Sequence, residues 1–103
     1  MDAAALPPRA AEATAFLKSL AHRDRLLIAC ALVEGERAVG ELEVLLDIRQ
    51  PGLSQQLAGL RAAGLVATRR AGKAVFYRLA DDRVAAFLHS LRRLFCAGEQ
   101  PRG

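Results

Sequence analysis

Two cysteines, Cys30 and Cys96, are the residues of this sequence best suited to covalent chemistry. In a reducing compartment such a pair is typical of reactive or buried thiols and not of a structural disulfide. A functional dithiol needs one accessible thiol with thiolate character and a second thiol close enough to resolve it. At about 100° per residue, Cys96 falls on the flank of its helix's apolar stripe, where a reactant could reach it. The alternative is that Cys30 is a buried filler and Cys96 an incidental thiol.

A second group of candidate residues lies in the segment 49–78, which holds six basic residues and no Asp or Glu. The rest of the chain carries nine basic and eleven acidic residues, so the net charge of +4 is concentrated in this segment. Short polar side chains near a helix N-terminus can contact base edges in a DNA major groove, and a basic hairpin can neutralise phosphates. The alternative to DNA binding is that these residues form only a solvated polar face beside an ordinary charged hairpin. The predicted base-contacting residues are Gln50, Ser54, Gln55, Gln56 and Arg61, and the predicted phosphate-contacting residues are Arg69, Arg70 and Lys73.

The composition indicates one small globular domain. The chain has 103 residues, of which 52% are apolar and 25% charged, as in ordinary folded domains. We expect a disordered tail at 1–8, a folded domain at 9–97 and a second tail at 98–103. The start of the chain does not have the pattern of a signal peptide, and the longest apolar run, Leu26–Val33, is too short to cross a bilayer. We therefore expect a cytoplasmic location.

Apolar periodicity predicts a mainly α-helical fold with a two-stranded β-wing, in the order ααααββα. Asp24 is expected to favour the start of the second helix and Pro51 to take the first position of the fourth. Gly35 and Gly64 are expected to end these two helices. Asp81 and Asp82 are expected to cap the last one. The predicted helices span about 9–20, 24–34, 39–47, 51–63 and 82–96, and the predicted strands 65–70 and 74–79.

Several helices carry apolar stripes that should face the core or a partner. The last helix is expected to pair with a second subunit, because an amphipathic terminal helix in so small a domain needs a surface on which to dock. Phe76 and Tyr77 are expected to pack the wing onto the helices. The predicted stripes are Ala13, Phe16, Leu17 and Leu20 in the first helix, Val39, Leu42, Leu45 and Leu46 in the third, Leu53, Leu57 and Leu60 in the fourth, and Val84, Phe87, Leu88, Leu91 and Phe95 in the last.

These elements resemble the ArsR family of winged helix-turn-helix repressors over roughly residues 15–96. The most specific matches are the Leu-Lys-Ser-Leu-Ala-His run that ends at His22, the Leu-Ser-Gln-Gln-Leu run 53–57, and the wing motif of Arg69, Arg70, Gly72, Lys73 and Tyr77. The resemblance implies five helices with a two-stranded wing, a homodimer formed largely by the first and last helices, and double-stranded operator DNA as the partner.

The sequences around the two cysteines are similar to the branch of that family represented by BigR and SqrR, which senses reactive sulfur species. These sequences are Leu-Ile-Ala-Cys-Ala-Leu around Cys30 and Leu-Phe-Cys ending at Cys96. The resemblance implies a repressor that binds operator DNA when reduced and is released when a disulfide or polysulfide bridge links the two cysteines. A peroxide-responsive or general redox-responsive repressor using the same cysteines remains the alternative.

Metal sensing and catalysis are the less favoured possibilities. Metal-sensing members of the family carry a cysteine pair in the third helix, where this chain has Glu41-Leu42-Glu43-Val44-Leu45, or Asp and His ligands along the last helix. Here that helix offers Asp81, Asp82 and His89 but no second His, so we expect neither a metal site nor a cofactor. We expect no catalytic residues, since neither His22 nor His89 forms a Cys/His motif with a cysteine.

Overall fold

The computed structural model describes residues 7–96. Within this range a short 3-10 helix, Pro7–Arg9, leads into five α-helices and three β-strands. The elements are α1 (Ala10–Leu20), α2 (Arg23–Val33), β1 (Arg37–Ala38), α3 (Val39–Leu46), α4 (Gly52–Ala62), β2 (Val66–Ala71), β3 (Ala74–Leu79) and α5 (Asp82–Cys96). The predicted tails, 1–8 and 98–103, lie outside the described residues except for Pro7 and Pro8.

A single apolar core joins the helices to the base of the hairpin. In α4 the residues Leu53, Leu57 and Leu60 are fully buried, as their spacing of four and three predicts. They hold the inner face of α4 against the other helices, so its opposite face is left to solvent. The buried core consists of Leu20, Ile28, Ala29, Ala31, Leu32, Leu42, Ile48, Leu53, Leu57, Leu60, Leu65, Val66, Val84 and Leu88.

The predicted hairpin is confirmed, and the structure adds a third strand to it. Strands β2 and β3 pair antiparallel from Val66↔Leu79 to Ala71↔Ala74, and Gly72 in the turn has a φ of 62°, a conformation that glycine adopts without strain. The additional strand β1 pairs with β3 through Arg37↔Tyr77 and Ala38↔Phe76. Two residues are too few to show an alternating pattern, so the sequence gives no sign of β1.

The helix ends agree with the prediction in part. Gly35 follows α2 and has a φ of 145°, and the Asp81 side chain accepts a hydrogen bond from the backbone N–H of Arg83 at the start of α5. Asp24 lies in the first turn of α2, where its carboxylate favours the helix N-terminus as predicted. The helix begins one residue earlier than expected, at Arg23, and Nδ1 of His22 caps it by accepting from the Asp24 N–H at 3.0 Å. Pro51 was also misplaced by one position: it precedes α4, which begins at Gly52.

Several residues of the predicted stripes are exposed. Leu45 of α3 is 53% exposed, Leu17 of α1 is 50% exposed and Phe95 of α5 is 77% exposed, together with its neighbour Leu94 at 76%. The stripes extend beyond the area that the neighbouring elements of one chain cover, so periodicity alone overestimated their burial. No helix within residues 7–96 has the length and apolarity needed to cross a lipid bilayer.

Candidate nucleic-acid interface and dithiol groove

The solvent face of α4 carries three of the five predicted base-contacting residues. Ser54, Gln55 and Arg61 are exposed, because the buried leucines of α4 occupy its other face. Ser54 and Gln55 lie in the first turn, where backbone N–H groups and the helix dipole also favour a phosphate. This face has the side chains and the position to contact a DNA groove.

Gln50 lies before α4 and links it to α3. Its side-chain carbonyl oxygen accepts from the backbone N–H of Ser54 at 3.0 Å, and its amide nitrogen donates to the Glu43 carboxylate at 3.1 Å. Both ends of the amide are therefore engaged within the protein. Gln50 fixes the turn between the two helices, and it would have to exchange these bonds to contact a base.

Gln56 is half-buried and is held by Arg25 of α2. Nε of Arg25 donates to the Gln56 side-chain oxygen at 2.8 Å, and the same guanidinium donates to the backbone carbonyl of Ser19 at 3.1 Å. Arg25 thus ties α4 to α2 and to the end of α1. This role was not predicted from the sequence, in which the position of Arg25 directly before the apolar run Leu26–Val33 was the available signal.

Gly59 of α4 makes room for this arginine. A Cβ atom at position 59 would overlap the guanidinium of Arg25. Glycine costs about 1 kcal/mol relative to alanine inside a helix, so its presence here is explained by the space that Arg25 occupies.

Gly59→Ala is therefore expected to have opposite effects in two backgrounds. In the wild-type chain it should displace Arg25 and destabilise the fold by about 1 kcal/mol, because losing hydrogen bonds to a charged donor outweighs the gain in helix propensity. In an Arg25→Ala chain the same change should stabilise by up to about 1 kcal/mol. Urea unfolding at one fixed protein concentration measures both values.

Gly40→Ala in α3 is the matched control, since nothing lies within 4 Å of its Cβ position. Its effect should be the same in the two backgrounds. Equal effects of Gly59→Ala in both backgrounds would contradict the packing of Arg25 against Gly59.

Of the three wing residues predicted to contact phosphates, two are presented to solvent and the third is engaged within the protein. Arg70 and Lys73 are exposed, and within residues 7–96 no ion pair holds either of them. Arg69 instead pairs with Glu36 at 2.7 Å and lies over the ring of Phe76, with its Cζ 4.6 Å from the ring centroid.

The prediction for the two wing aromatics is thus confirmed for one of them. Tyr77 packs against the hydrophobic core, whereas Phe76 faces the opposite side of the sheet and stacks with Arg69.

Both cysteines line one groove between α2 and α5. Cys30 lies within α2 and is exposed, and Cys96 is the last residue of α5 and is partly exposed. The exposure of Cys30 argues against the alternative that it is a buried filler. The groove has a volume of about 330 Å³, and its apolar walls include Leu26, Val33, Leu88, Leu91 and Phe95. Two thiols that are 66 residues apart in sequence therefore face a common space.

The surroundings of Cys30 act on its ionisation in opposite directions. Although Cys30 is exposed, neighbouring groups still shield its thiol in part from water, and this desolvation raises the pKa of the thiol above its ordinary value because it disfavours the charged thiolate. The guanidinium of Arg92 lowers this pKa, while a thiolate at Cys96 raises it further. The balance is a raised pKa, so Cys30 is mostly a neutral thiol at neutral pH.

Neither histidine forms part of a metal centre in the described chain. Within residues 7–96, no three His, Cys, Asp or Glu side chains are grouped so that they could hold a metal ion. His22 caps α2, and His89 is exposed on the rim of the dithiol groove.

Comparisons with known proteins agree with this architecture. Residues 22–68 match the family model described as "Bacterial regulatory protein, arsR family". The chain is 55% identical over 96 residues to the biofilm growth-associated repressor of Agrobacterium fabrum, covering 93% of this chain and 82% of that protein.

Two solved structures are similar over most of their length. The transcriptional repressor BigR from Xylella fastidiosa has a TM-score of 0.90 and 47% identity, covering 93% of this chain and 98% of that one. Reduced HlyU from Vibrio cholerae has a TM-score of 0.82 and 43% identity, covering 88% of this chain and 96% of that one. The identity and coverage of these relatives, together with the winged helix-turn-helix fold, place the chain in the ArsR family of bacterial regulatory proteins.

Proposed function

We propose that this protein is a transcriptional repressor whose affinity for operator DNA is controlled by the redox state of Cys30 and Cys96. The observation that carries the proposal is that α2 and α5 each contribute one thiol to a single groove. The names of its relatives support the repressor assignment, since the similar proteins from Agrobacterium fabrum and Xylella fastidiosa are called repressors. The proposed site of action is the cytoplasm.

The reduced protein would bind DNA as a homodimer. Ser54, Gln55 and Arg61 of α4 would contact the major groove, while Arg70 and Lys73 of the wing would contact phosphates. The exposed apolar side chains Leu17, Leu94 and Phe95 on the first and last helices support a dimer through these helices. Two copies of α4 would then meet half-sites about 34 Å apart.

The thiol chemistry would begin at Cys96. Because the pKa of Cys30 is raised, the first attack on a hydropolysulfide is assigned to the Cys96 thiolate, which takes up a sulfur atom and releases a shorter polysulfide or hydrosulfide. The Cys30 thiol then loses its proton, a step that Arg92 favours, and attacks the Cys96 persulfide. Attack on the inner sulfur of this persulfide expels hydrosulfide and gives a disulfide. Where Cys96 has instead taken up two or more sulfur atoms from the hydropolysulfide, expulsion of hydrosulfide leaves the other atoms in a trisulfide or longer bridge.

Such a bridge would change the position of α4 through α2. It would join α2 to the end of α5, and α2 also holds α4 through the Arg25–Gln56 hydrogen bond of 2.8 Å. A shift of α2 therefore acts on the DNA-contacting helix directly. The bridged state would lose affinity because the two copies of α4 no longer fit both half-sites.

The test compares reduced and polysulfide-treated protein at one salt concentration. The probe is a duplex of roughly 30 base pairs, long enough for two half-sites, selected from a random-sequence pool by the reduced protein. A bridge that adds about 32 Da for each retained sulfur atom, with affinity at least about tenfold lower, supports the proposal. A mass loss of about 2 Da after peroxide, with the same loss of affinity, supports the disulfide alternative. Unchanged affinity with both thiols free contradicts both.

A further inference from the structure

Arg69 of the wing is held by a two-oxygen contact with Glu36. Its Nε donates to both carboxylate oxygens, at 2.8 and 2.9 Å, and a terminal guanidinium nitrogen lies 2.7 Å from the same carboxylate. The face of the Arg69 guanidinium stacks on the ring of Phe76. Arg69 also keeps the pKa of the Glu36 carboxyl below its ordinary value, so the pair is charged at neutral pH.

Glu36 is attached to the helical core by the residue that follows it. Nε of Arg37 donates to the Ala31 carbonyl of α2 at 3.3 Å, and its terminal nitrogen pairs with Glu34 at 3.2 Å. The backbone of Arg37 in β1 also lies opposite Tyr77 of β3 in the antiparallel sheet. The Glu36 carboxylate, which binds Arg69 of the wing, therefore lies on a segment that is fixed to α2.

The charges at this point of the wing argue against a simple phosphate contact by Arg69. A carboxylate beside a DNA-facing hairpin repels phosphates, and it occupies the guanidinium edge that would otherwise bind one. Arg70 and Lys73 carry no such partner within residues 7–96. Of the three wing residues predicted to contact phosphates, Arg69 is thus engaged with the protein, whereas Arg70 and Lys73 are exposed to solvent, as is Arg78 of β3.

We propose that Glu36 and Arg69 are a positioning pair that sets the angle of the wing relative to α2, leaving phosphate contact to Arg70 and Lys73. This inference requires that the chain binds DNA, but it is independent of the thiol chemistry proposed for Cys30 and Cys96. Arg69 acts on affinity through the placement of its neighbours.

The change in DNA affinity caused by Glu36→Gln distinguishes this role from a simple charge effect, because the two predict changes in opposite directions. Removing a negative charge near DNA should strengthen binding if the carboxylate only repels phosphates. Loss of the positioning pair should instead weaken binding of the selected duplex by roughly fivefold, as expected for a partly exposed ion pair. Reduced protein is used throughout, and anisotropy titrations are repeated at several salt concentrations. Asp82→Asn removes the same charge at the start of α5 and should not weaken binding.

Two further variants test the assignment independently. Glu36→Arg combined with Arg69→Glu keeps the net charge and allows an ion pair to form again, although it loses the stacking of Arg69 on Phe76 and places a cation near Arg78. Its affinity should therefore exceed that of both single reversals without returning fully to that of wild type. Lys73→Ala should lower the salt dependence of binding by about one phosphate contact, whereas Glu36→Gln should leave that dependence unchanged. Binding of Glu36→Gln that equals or exceeds wild type, or a charge swap that binds no better than the single reversals, would overturn the proposal.

Discussion

Cys96→Ser is expected to leave the DNA affinity of the reduced protein unchanged and to abolish its response to polysulfide. Cys96 lies at the end of α5 and is partly exposed, so replacing sulfur with oxygen should not disturb the fold. Without it no bridge to Cys30 can form. Desolvation, the largest cause of the raised pKa of Cys30, persists in this variant and disfavours the reactive thiolate. Titration of the selected duplex before and after polysulfide treatment measures the effect.

Cys30→Ser is the matched variant, and its response to polysulfide should be blocked at a later chemical step. The Cys96 thiol should still take up sulfur, adding about 32 Da per atom, yet without a partner in α2 it cannot form the intramolecular bridge. DNA affinity should therefore stay close to that of the reduced protein. If either single variant still loses affinity to the wild-type extent, the bridge is not the switch.

Leu94→Glu is expected to produce the largest loss of DNA binding. Leu94 is 76% exposed near the end of α5, and a carboxylate there should be strongly disfavoured in a subunit interface that excludes water. The resulting monomer can contact only one half-site, so its affinity for the selected duplex should fall by roughly a hundredfold or more. Sedimentation velocity reports the oligomeric state, and anisotropy reports the binding.

Val44→Glu is the control for this change. Val44 is an apolar residue of α3 that is 85% exposed, and it lies on neither of the two helices proposed to form the interface. This variant should sediment as wild type does. A Leu94→Glu protein that remains dimeric would exclude the proposed role of the end of α5, whatever its DNA affinity.

The sequence alone determined the order of the five helices and the two hairpin strands, and it indicated which helix presents polar residues to solvent. The spacing of Leu53, Leu57 and Leu60 predicts which face of α4 is buried, and the glycine at position 72 predicts the hairpin turn. These features depend on side-chain periodicity and backbone sterics, which act between residues close together in the chain. The absence of acidic residues from segment 49–78 is likewise a property of the sequence itself.

Only the tertiary structure decided which of the predicted side chains are free of contacts within the protein and which are already engaged. Gln56 is engaged by Arg25, 31 residues away, and Arg69 is engaged by Glu36, 33 residues away. The shared groove of Cys30 and Cys96 is likewise a product of the packing of α2 against α5. Periodicity assigns a residue to a face of its own element, but its partners depend on where another element lies in space. That placement follows from burial of the whole apolar core, so no local pattern contains it.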